Sequence, residues 1–281
     1  MAQKRNCINK KKFIKYLKSL GIDVRNNTKA RGHNGFCTDR RIDVAKNLDD
    51  FTASSVLLHE FAHYVHFKLE PSLLGNGGSL NVLFNTENTD EIEEELFKLS
   101  LKVFDSKVLD KIEAMKKSVS EKIKEQKNII KSYFPDFKIS GKFKEFNKYI
   151  KISEARYLLK YDRVLYKKYW FSKKKIISID SLGKDFPDMP KAFASYIILK
   201  SLERKRNRLN SRIYKIKKYL RKPTELFARF VQAYYLDYEE TKMTAPRCLE
   251  YFENLKSKNY YCYLNDKEFI SVLDDCEQIL L

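Results

Sequence analysis

The sequence predicts a mainly α-helical fold with a small β-sheet near its N-terminal end, an α+β class. Long segments with apolar residues three and four positions apart fill most of the chain, and this is the spacing of a helix face. Short strand-like segments occur near the start, between Gly, Asn and Asp residues that favour turns. With 43% hydrophobic and 14% aromatic residues, the 281-residue chain can build a core, which argues against disorder.

Short elements and turns alternate in the first quarter of the chain. A helix is predicted over residues 8–20, because its apolar residues share one face and a glycine follows. The segment FCTDRRIDVA, residues 36–45, predicts one or two short strands joined by a turn. Thr52 or Ser54 is expected to cap a helix that runs to about Leu69, where a Glu-Pro pair ends it.

Helices dominate the remainder of the chain. Residues 75–90 are predicted to form a loop with one short strand, and a long helix with a break near Asp105 is predicted over residues 91–134. Further helices are predicted after Pro190 and after Pro223, and the C-terminal tail is expected to end in a short helix.

Positive charge is concentrated in the middle of the chain. Residues 114–222 contain 32 Lys and Arg against 10 Asp and Glu, a net charge of +22, while the whole chain carries +19. Such a segment favours an anionic partner, nucleic acid or an acidic protein, although solvated helix faces also carry many lysines. We therefore predict three parts, namely 1–110, a basic helical insertion at 111–222, and 223–281.

The cysteines and the absence of long apolar runs bear on the cell compartment. Five cysteines occur, an odd number without CxxC spacing, which argues against a disulfide framework and against a cysteine zinc site. Reduced thiols in a cytosol explain this pattern. The N-terminal segment does not resemble a signal peptide, and no apolar run approaches the ~20 residues of a membrane helix. We therefore expect a cytoplasmic protein without a membrane partner.

Three of the four histidines lie in the segment SSVLLHEFAHYVHF, residues 54–67. His59, Glu60 and His63 form an H-E-x-x-H pattern. Residues four apart lie above one another on a helix, so both imidazoles can bind one ion, and Zn²⁺ accepts such nitrogen ligands. Glu60 stands beside that ion, where a carboxylate can act as general base toward an activated water. The segment therefore predicts a catalytic zinc site.

The other two histidines are weaker candidates. His66 lies seven residues after His59, about 10.5 Å along a helix, which is too far for both to bind one ion. A metzincin has a glycine where His66 stands and a third histidine where Leu69 stands, so that class is excluded. We expect His66 to pack beside the site, in contact with a ligand or with the core. His33, in a Gly- and Asn-rich loop, is a minor candidate ligand.

The third metal ligand is expected to be a carboxylate on another helix. One group of candidates opens a predicted acidic helix and comprises Glu91, Glu93, Glu94 and Glu95. Acidic residues at that position also stabilise the helix dipole, which is a sufficient role for them. The other candidate is Glu225, a single carboxylate that opens the strongly apolar helix PTELFARFVQAYY and needs a compensating partner. The sequence favours Glu225 and leaves the acidic group open.

The segments SSVLLHEFAHYVHF and PTELFARFVQAYY together resemble the zincin-like metallopeptidase domains among the large polyvalent-protein-associated domains. These domains occur in proteins of phages, plasmids and other mobile elements, and they pair an HExxH helix with a later helix of E-L-F-A-R-x-F type. The Tyr-rich ending NYYCYLNDKEFISVLDDCEQIL is also similar. The resemblance covers about residues 30–70 and 220–281, and the basic stretch between them is longer than the family leads one to expect.

The resemblance implies a fold and a site. The implied fold is a zincin-like metallopeptidase fold of the gluzincin type, interrupted here by the helical insertion. The implied ligands of Zn²⁺ are His59, His63 and Glu225, and the implied general base is Glu60. In zincins an edge strand pairs with an extended substrate, and the strand RRIDVA stands at the corresponding place in the sequence.

Several residues near Glu225 are candidates for supporting roles. Arg229 lies one turn after Glu225, where it can hold that carboxylate or meet a substrate carboxylate. Tyr234, Tyr235 and Tyr238 are candidate donors to an oxyanion, although aromatic residues at helical spacing more often belong to a core.

We therefore expect a zinc metallopeptidase of a mobile genetic element that hydrolyses peptide bonds in a protein or peptide substrate. Two alternatives stay open at this point. One is a nucleic-acid-associated module whose zinc is structural or vestigial. The other is a protease that cleaves a DNA-binding repressor, which combines the metal site with the basic segment.

Overall fold

The computed structural model describes residues 8–27, 34–71, 78–103, 107–137, 144–166 and 175–274. Most of these residues are helical and a small mixed sheet lies near the N-terminal end, which confirms the predicted fold class. The helices are α1 (Lys10–Ser19), α2 (Asp50–Leu69), α3 (Leu80–Phe84), α4 (Thr89–Val103), α5 (Lys107–Tyr133), α6 (Lys144–Ile152), α7 (Leu182–Asp185), α8 (Lys191–Leu220), α9 (Pro223–Leu236), α10 (Tyr238–Thr244), α11 (Pro246–Ser257) and α12 (Lys267–Asp274). The strands are β1 (Asp23–Asn27), β2 (Gly35–Thr38), β3 (Arg41–Ala45), β4 (Arg163–Tyr166) and β5 (Lys175–Ser178).

The chain divides into two compact units. Unit 1 comprises Met1–Ser106 and Lys217–Leu281, and unit 2 comprises Lys107–Ile216. The sequence of unit 2 contains 30 Lys and Arg against 12 Asp and Glu, so this unit holds +18 of the chain's net charge of +19. Among the described residues, no helix has both the length and the apolar character of a membrane span.

The sheet of unit 1 has the strand order β1-β3-β2. β3 pairs in parallel with β1 and antiparallel with β2. The short strands predicted within residues 36–45 are present as β2 and β3, whereas β1, with the polar sequence DVRNN, carried no strand signal. The expectation that RRIDVA is the edge strand is wrong, because β3 has a neighbour on each side and β2 lies at the edge.

Helix α2 carries the H-E-x-x-H pattern. Its N-cap is Asp49, which accepts hydrogen bonds from the backbone N–H of Thr52 at 2.9 Å and from its hydroxyl at 2.6 Å. The expected caps, Thr52 and Ser54, therefore lie inside the helix, and an aspartate one turn earlier takes their role. The helix ends before Glu70-Pro71 as predicted, because proline disfavours helical backbone in the residue before it.

Helix α9 packs against α2 in the core of unit 1. Gln232 donates a hydrogen bond to Ser55 of α2 at 2.6 Å, while Glu225 at the start of α9 lies beside His63, later in α2. The two helices therefore run antiparallel. Pro223 opens α9 at a position where the missing N–H costs no hydrogen bond.

Two features differ from the prediction, and a third prediction falls outside the described residues. The strand expected within residues 75–90 is absent from its described part, where Leu80–Phe84 forms the short helix α3 and buries its apolar residues. The helix predicted over residues 223–238 ends at Leu236, because the side chain of Asp237 accepts the N–H of Glu240 at 3.2 Å and starts α10. The break expected near Asp105 falls outside the described residues, between the separate helices α4 and α5.

Unit 2 has its own aromatic core and a two-stranded antiparallel sheet, β4-β5. Phe146 of α6 contacts Phe193 and Tyr196 of α8, with ring centroids 5.4 and 4.6 Å apart. Arg204 of α8 donates to Asp162, just before β4, at 2.6 Å. Apolar and ionic contacts therefore join α6, α8 and the β4-β5 sheet within unit 2.

Candidate metal centre

The structure brings His59, His63 and Glu225 together. The Nε2 atom of His59 lies 3.5 Å from Oε2 of Glu225, and Nε2 of His63 lies 3.5 Å from Oε1 of the same carboxylate. One potential ligand atom from each residue lies within 4.8 Å of the other two. The helical spacing of α2 sets the two imidazoles above one another, and the packing of α9 supplies the carboxylate.

The spacing fits a shared metal ion better than direct hydrogen bonds. A separation of 3.5 Å exceeds the 2.7–3.2 Å of an N–H···O hydrogen bond. Ligand atoms placed tetrahedrally at ~2.0–2.1 Å from an ion are about 3.3–3.4 Å apart, close to these two separations, each of which ends on a different oxygen of Glu225. The side chains are only 12% exposed for each histidine and 8% for Glu225, and Glu225 Oε2 is buried without a hydrogen-bond partner among the described residues. Such a buried, incompletely satisfied polar group is what an ion would satisfy.

Burial and mutual charge separate the pKa values of the three residues. Burial lowers the pKa of His59 to about 4, although Glu225 opposes this change. Burial also acts to lower the pKa of His63, but the nearby carboxylates of Glu225 and Glu60 outweigh it and raise that pKa. Burial alone would raise the pKa of Glu225, yet the two imidazoles hold it well below its usual range. The group therefore contains an ionised carboxylate and a neutral imidazole at neutral pH, which are the protonation states that bind metals.

Glu60 is buried beside this group and does not belong to it. It is only 6% exposed, and burial raises the pKa of its carboxyl to about 7. A carboxyl group with a pKa near the working pH can both accept and return a proton. Glu60 thus has the position and the acidity expected of a general base.

Gly35 of the edge strand β2 allows the close approach of Glu60. A Cβ atom at Gly35 would lie 2.5 Å from Oε1 of Glu60 and 2.5 Å from Cγ1 of Val56, both far inside van der Waals contact. Glycine permits this contact between a strand backbone and a helix side chain. The sheet therefore fixes the place of the Glu60 carboxylate from the side opposite its own helix.

We predict that Gly35→Ala displaces the Glu60 carboxylate. The rate of the peptide hydrolysis expected from the sequence should fall about tenfold or more, because a misplaced reacting group slows the reaction. Metal content should stay unchanged, since the atoms nearest to the added Cβ belong to Glu60 and Val56 and not to His59, His63 or Glu225. The matched control is Gly183→Ala, where an added Cβ meets nothing within 4 Å. Turnover of the Gly35→Ala protein equal to that of the control would refute this role.

Arg229 and Tyr219 both lie at the carboxylate of Glu225. Arg229 Nη2 is 3.7 Å from Glu225 Oε2, so Arg229 takes the supporting position expected from its place one turn later. Tyr219, in the last turn of α8, was not among the candidates predicted from the sequence. Burial, followed by the nearby charge of the Glu225 carboxylate, raises the pKa of Tyr219 well above its usual value. Tyr219 therefore stays a neutral donor beside the site, although 37% of the residue remains exposed.

The tyrosines considered from the sequence are engaged elsewhere. Tyr235 donates to the carbonyl of Leu264 at 3.2 Å, and Tyr238 donates to Glu253 at 2.9 Å. Tyr234 packs among aromatic rings and accepts from Lys256 at 3.4 Å. None of the three is a member of the His59, His63 and Glu225 group. Periodicity along α9 could not point to Tyr219, because that residue belongs to the preceding helix.

His66 lies apart from the metal group. It is fully buried, and its Nε2 lies 2.9 Å from Oε2 of Glu70, which also accepts the N–H of Ser79 at 2.8 Å. The ring packs against Gly78, where an added Cβ would lie 2.3 Å from Nε2. These contacts connect the end of α2 to Gly78 and Ser79, just before α3, so His66 has a structural role. His33 lies outside the described residues.

The acidic residues of α4 have cationic and backbone partners. Glu93 and Glu94 each accept from Arg221 at 2.9 Å, and the guanidinium of Arg221 lies 3.9 Å from the centre of the Phe97 ring. Glu95 accepts the backbone N–H of Arg247 at 3.0 Å, and Glu91 pairs with the side chain of the same arginine. These contacts hold the chain just before α9 and the start of α11. They give the acidic group a role in positioning the helix that carries Glu225.

Comparison with known proteins gives no family assignment. No family model matches the sequence, and neither the curated proteins nor the solved structures include a match.

Proposed function

We propose that this protein is a zinc-dependent peptidase of the zincin type, in which His59, His63 and Glu225 hold the metal and Glu60 is the general base. The observation that carries the proposal is the 3.5 Å spacing of two imidazole nitrogens from one buried carboxylate, with a second buried carboxyl beside them. Two histidines and one glutamate are a known ligand set of catalytic zinc, which leaves a fourth position open. The resemblance to zincin-like domains of mobile-element proteins implies the same chemistry.

The residues of the chain take separate parts in this reaction. Zn²⁺ bound at this group would supply a Lewis acid that activates water and polarises the scissile carbonyl. Glu60 takes the proton of the attacking water and delivers it to the departing amine, and a pKa of about 7 suits both steps. Arg229 pairs with the carboxylate of Glu225, and the neutral hydroxyl of Tyr219, beside the same carboxylate, is the donor we assign to the negative charge that develops on the carbonyl oxygen.

The edge strand β2 is the place where an extended substrate is expected to pair. Its first residue, Gly35, lies against Glu60, and β3 pairs with one edge of β2, so that the other edge has no strand partner among the described residues. A peptide added along β2 would receive main-chain hydrogen bonds and pass beside the general base. We therefore propose for β2 the role that was predicted for RRIDVA.

The direct test is cleavage of a peptide library by the purified protein after zinc is loaded, with products read by mass spectrometry. Cleavage should stop when a chelator removes the metal and should return when zinc is added back. A protein that retains one equivalent of zinc but cleaves nothing in the library would count against the enzyme and favour a structural site.

We predict that Tyr219→Phe lowers turnover by about 10²-fold, the usual cost of losing one donor to an oxyanion. KM and metal content should change little, because the ring and the three ligands remain. Tyr214→Phe is the matched control, since Tyr214 lies on the same helix and is 64% exposed. Unchanged turnover in Tyr219→Phe would remove this residue from the reaction and leave it only a contact of Glu225.

A further inference from the structure

One face of helix α8 carries a line of exposed cations. Lys205, Arg208, Arg212 and Lys215 are all exposed, and their spacing of three and four residues places them on the same side of the helix. At 1.5 Å per residue the line is about 15 Å long. No acidic residue occurs between Glu203 and Glu225, so α8 itself places no carboxylate next to this line. We call these four residues the α8 basic stripe.

Most of the stripe has no ionic partner in the protein. Arg208 pairs with Asp162 at 3.0 Å, and the neighbouring Arg204 pairs with the same carboxylate at 2.6 Å. Within the described part of the chain, no carboxylate pairs with Lys205, Arg212 or Lys215. Three uncompensated cations on a rigid helix repel one another, so an anion that spans them would be bound favourably.

The surroundings of the stripe distinguish among anionic partners. A helix that binds a lipid surface inserts apolar residues beside its cations, but Leu209 and Ile213 of α8 are each only 8% exposed because they pack inside unit 2. Asn207 and Ser211 are exposed on α8 next to the stripe, and such neutral side chains join Lys and Arg in contacts to phosphate. A straight, regular line of cations with neutral donors matches the regular charges of a phosphodiester backbone.

We propose that the α8 basic stripe binds the phosphate backbone of nucleic acid, without base recognition. The binding adds a second function to the peptidase proposed above and does not depend on it. The charge of unit 2, 30 Lys and Arg against 12 Asp and Glu, contributes a long-range attraction, while the stripe provides the contact. Each cation that contacts a phosphate of a duplex steepens the salt dependence of binding by a slope of about 0.9.

The test measures binding of the full chain to fluorescein-labelled 20-mers by anisotropy, from 0.05 to 0.3 M KCl with chelator present. Duplex DNA, duplex RNA and single-stranded DNA are separate arms, because all three present the same backbone chemistry. For the arm that binds best, the variant Lys205→Gln/Arg212→Gln/Lys215→Gln should lower affinity at least about tenfold at 0.1 M KCl. On a duplex it should also reduce the slope of log K against log salt by about 3.

A second variant separates contact from overall charge. Lys117→Gln/Lys124→Gln/Lys131→Gln removes the same three charges from exposed positions on one face of α5, where Glu121 interrupts the line. This control should change the slope by less than 1. Equal losses in both variants would overturn the stripe as the contact, and so would the absence of binding in every arm at 0.1 M KCl. Tighter, stripe-dependent binding to poly-glutamate or to anionic vesicles would overturn nucleic acid as the partner.

Discussion

Glu60→Gln should lower peptide hydrolysis by about 10²–10⁴-fold while leaving the metal in place, because this range is what a positioned general base contributes. The amide has nearly the same shape as the carboxylate but cannot accept the proton of the attacking water. Glu60 does not belong to the His59, His63 and Glu225 group, so its substitution removes no ligand. The measurement is kcat on a cleaved library peptide, together with zinc content of the same sample.

Asp50→Asn is the matched control for this variant. Asp50 also lies on α2, but its side chain is 89% exposed and pairs with Lys10 at the surface. The control should keep its activity within about twofold, since surface ion pairs contribute little. Full activity in Glu60→Gln would reject the proposed mechanism, and loss of zinc from this variant would mean that Glu60 is itself a ligand.

Glu225→Ala should lose tightly bound zinc and all activity. The structure places this carboxylate 3.5 Å from both imidazoles, and an ion held by two histidines alone lacks the charge that balances it. Bound metal also stabilises the folded state by about 2.7 kcal/mol when free zinc is 100 times Kd, which raises Tm by roughly 5–10 °C. The wild type should show this zinc-dependent rise in thermal unfolding, and Glu225→Ala should not.

The control for Glu225→Ala tests the other carboxylates directly. Glu94→Ala removes a residue of the acidic group on α4 that pairs with Arg221, and it should keep zinc. Glu225→Gln is a second variant of the ligand position, closer in shape, in case the alanine protein folds poorly. Zinc retained by both Glu225 variants and lost from Glu94→Ala would move the third ligand to α4.

Several features of the fold could be predicted because their causes are local. Proline and glycine mark the ends of α1, α2 and α9, and apolar spacing identifies the helices between them. Caps were less predictable. Thr52 and Asp49 are both good capping residues, and the choice between them depends on where the chain leaves β3. The strand β1 could not be predicted from its polar sequence, since its pairing with β3 creates it.

At the site, neighbours that lie far apart in the sequence decide what each residue contacts. RRIDVA looked like an edge strand by its order in the chain, but pairing with the unpredicted β1 makes it central. Tyr238 was a candidate donor to an oxyanion because it follows Glu225 on the predicted helix. The helix ends before Asp237, however, and the Tyr238 hydroxyl donates to Glu253 instead. Tyr219 lies at the end of α8, beside Glu225 of α9. The spacing of residues within α9 could not predict this contact.

The sequence by itself determined that His59 and His63 lie on one face of α2 with Glu60 beside them, because a spacing of four residues within one helix fixes that geometry. It also placed almost all of the net positive charge in one segment. Only the tertiary structure decided which carboxylate completes the group. The antiparallel packing of α9 on α2 brings Glu225 to both imidazoles, while the carboxylates of α4 meet Arg221 and Arg247. A residue's distance along the chain does not limit such a contact, since long-range packing is set by apolar faces that the whole fold must bury together.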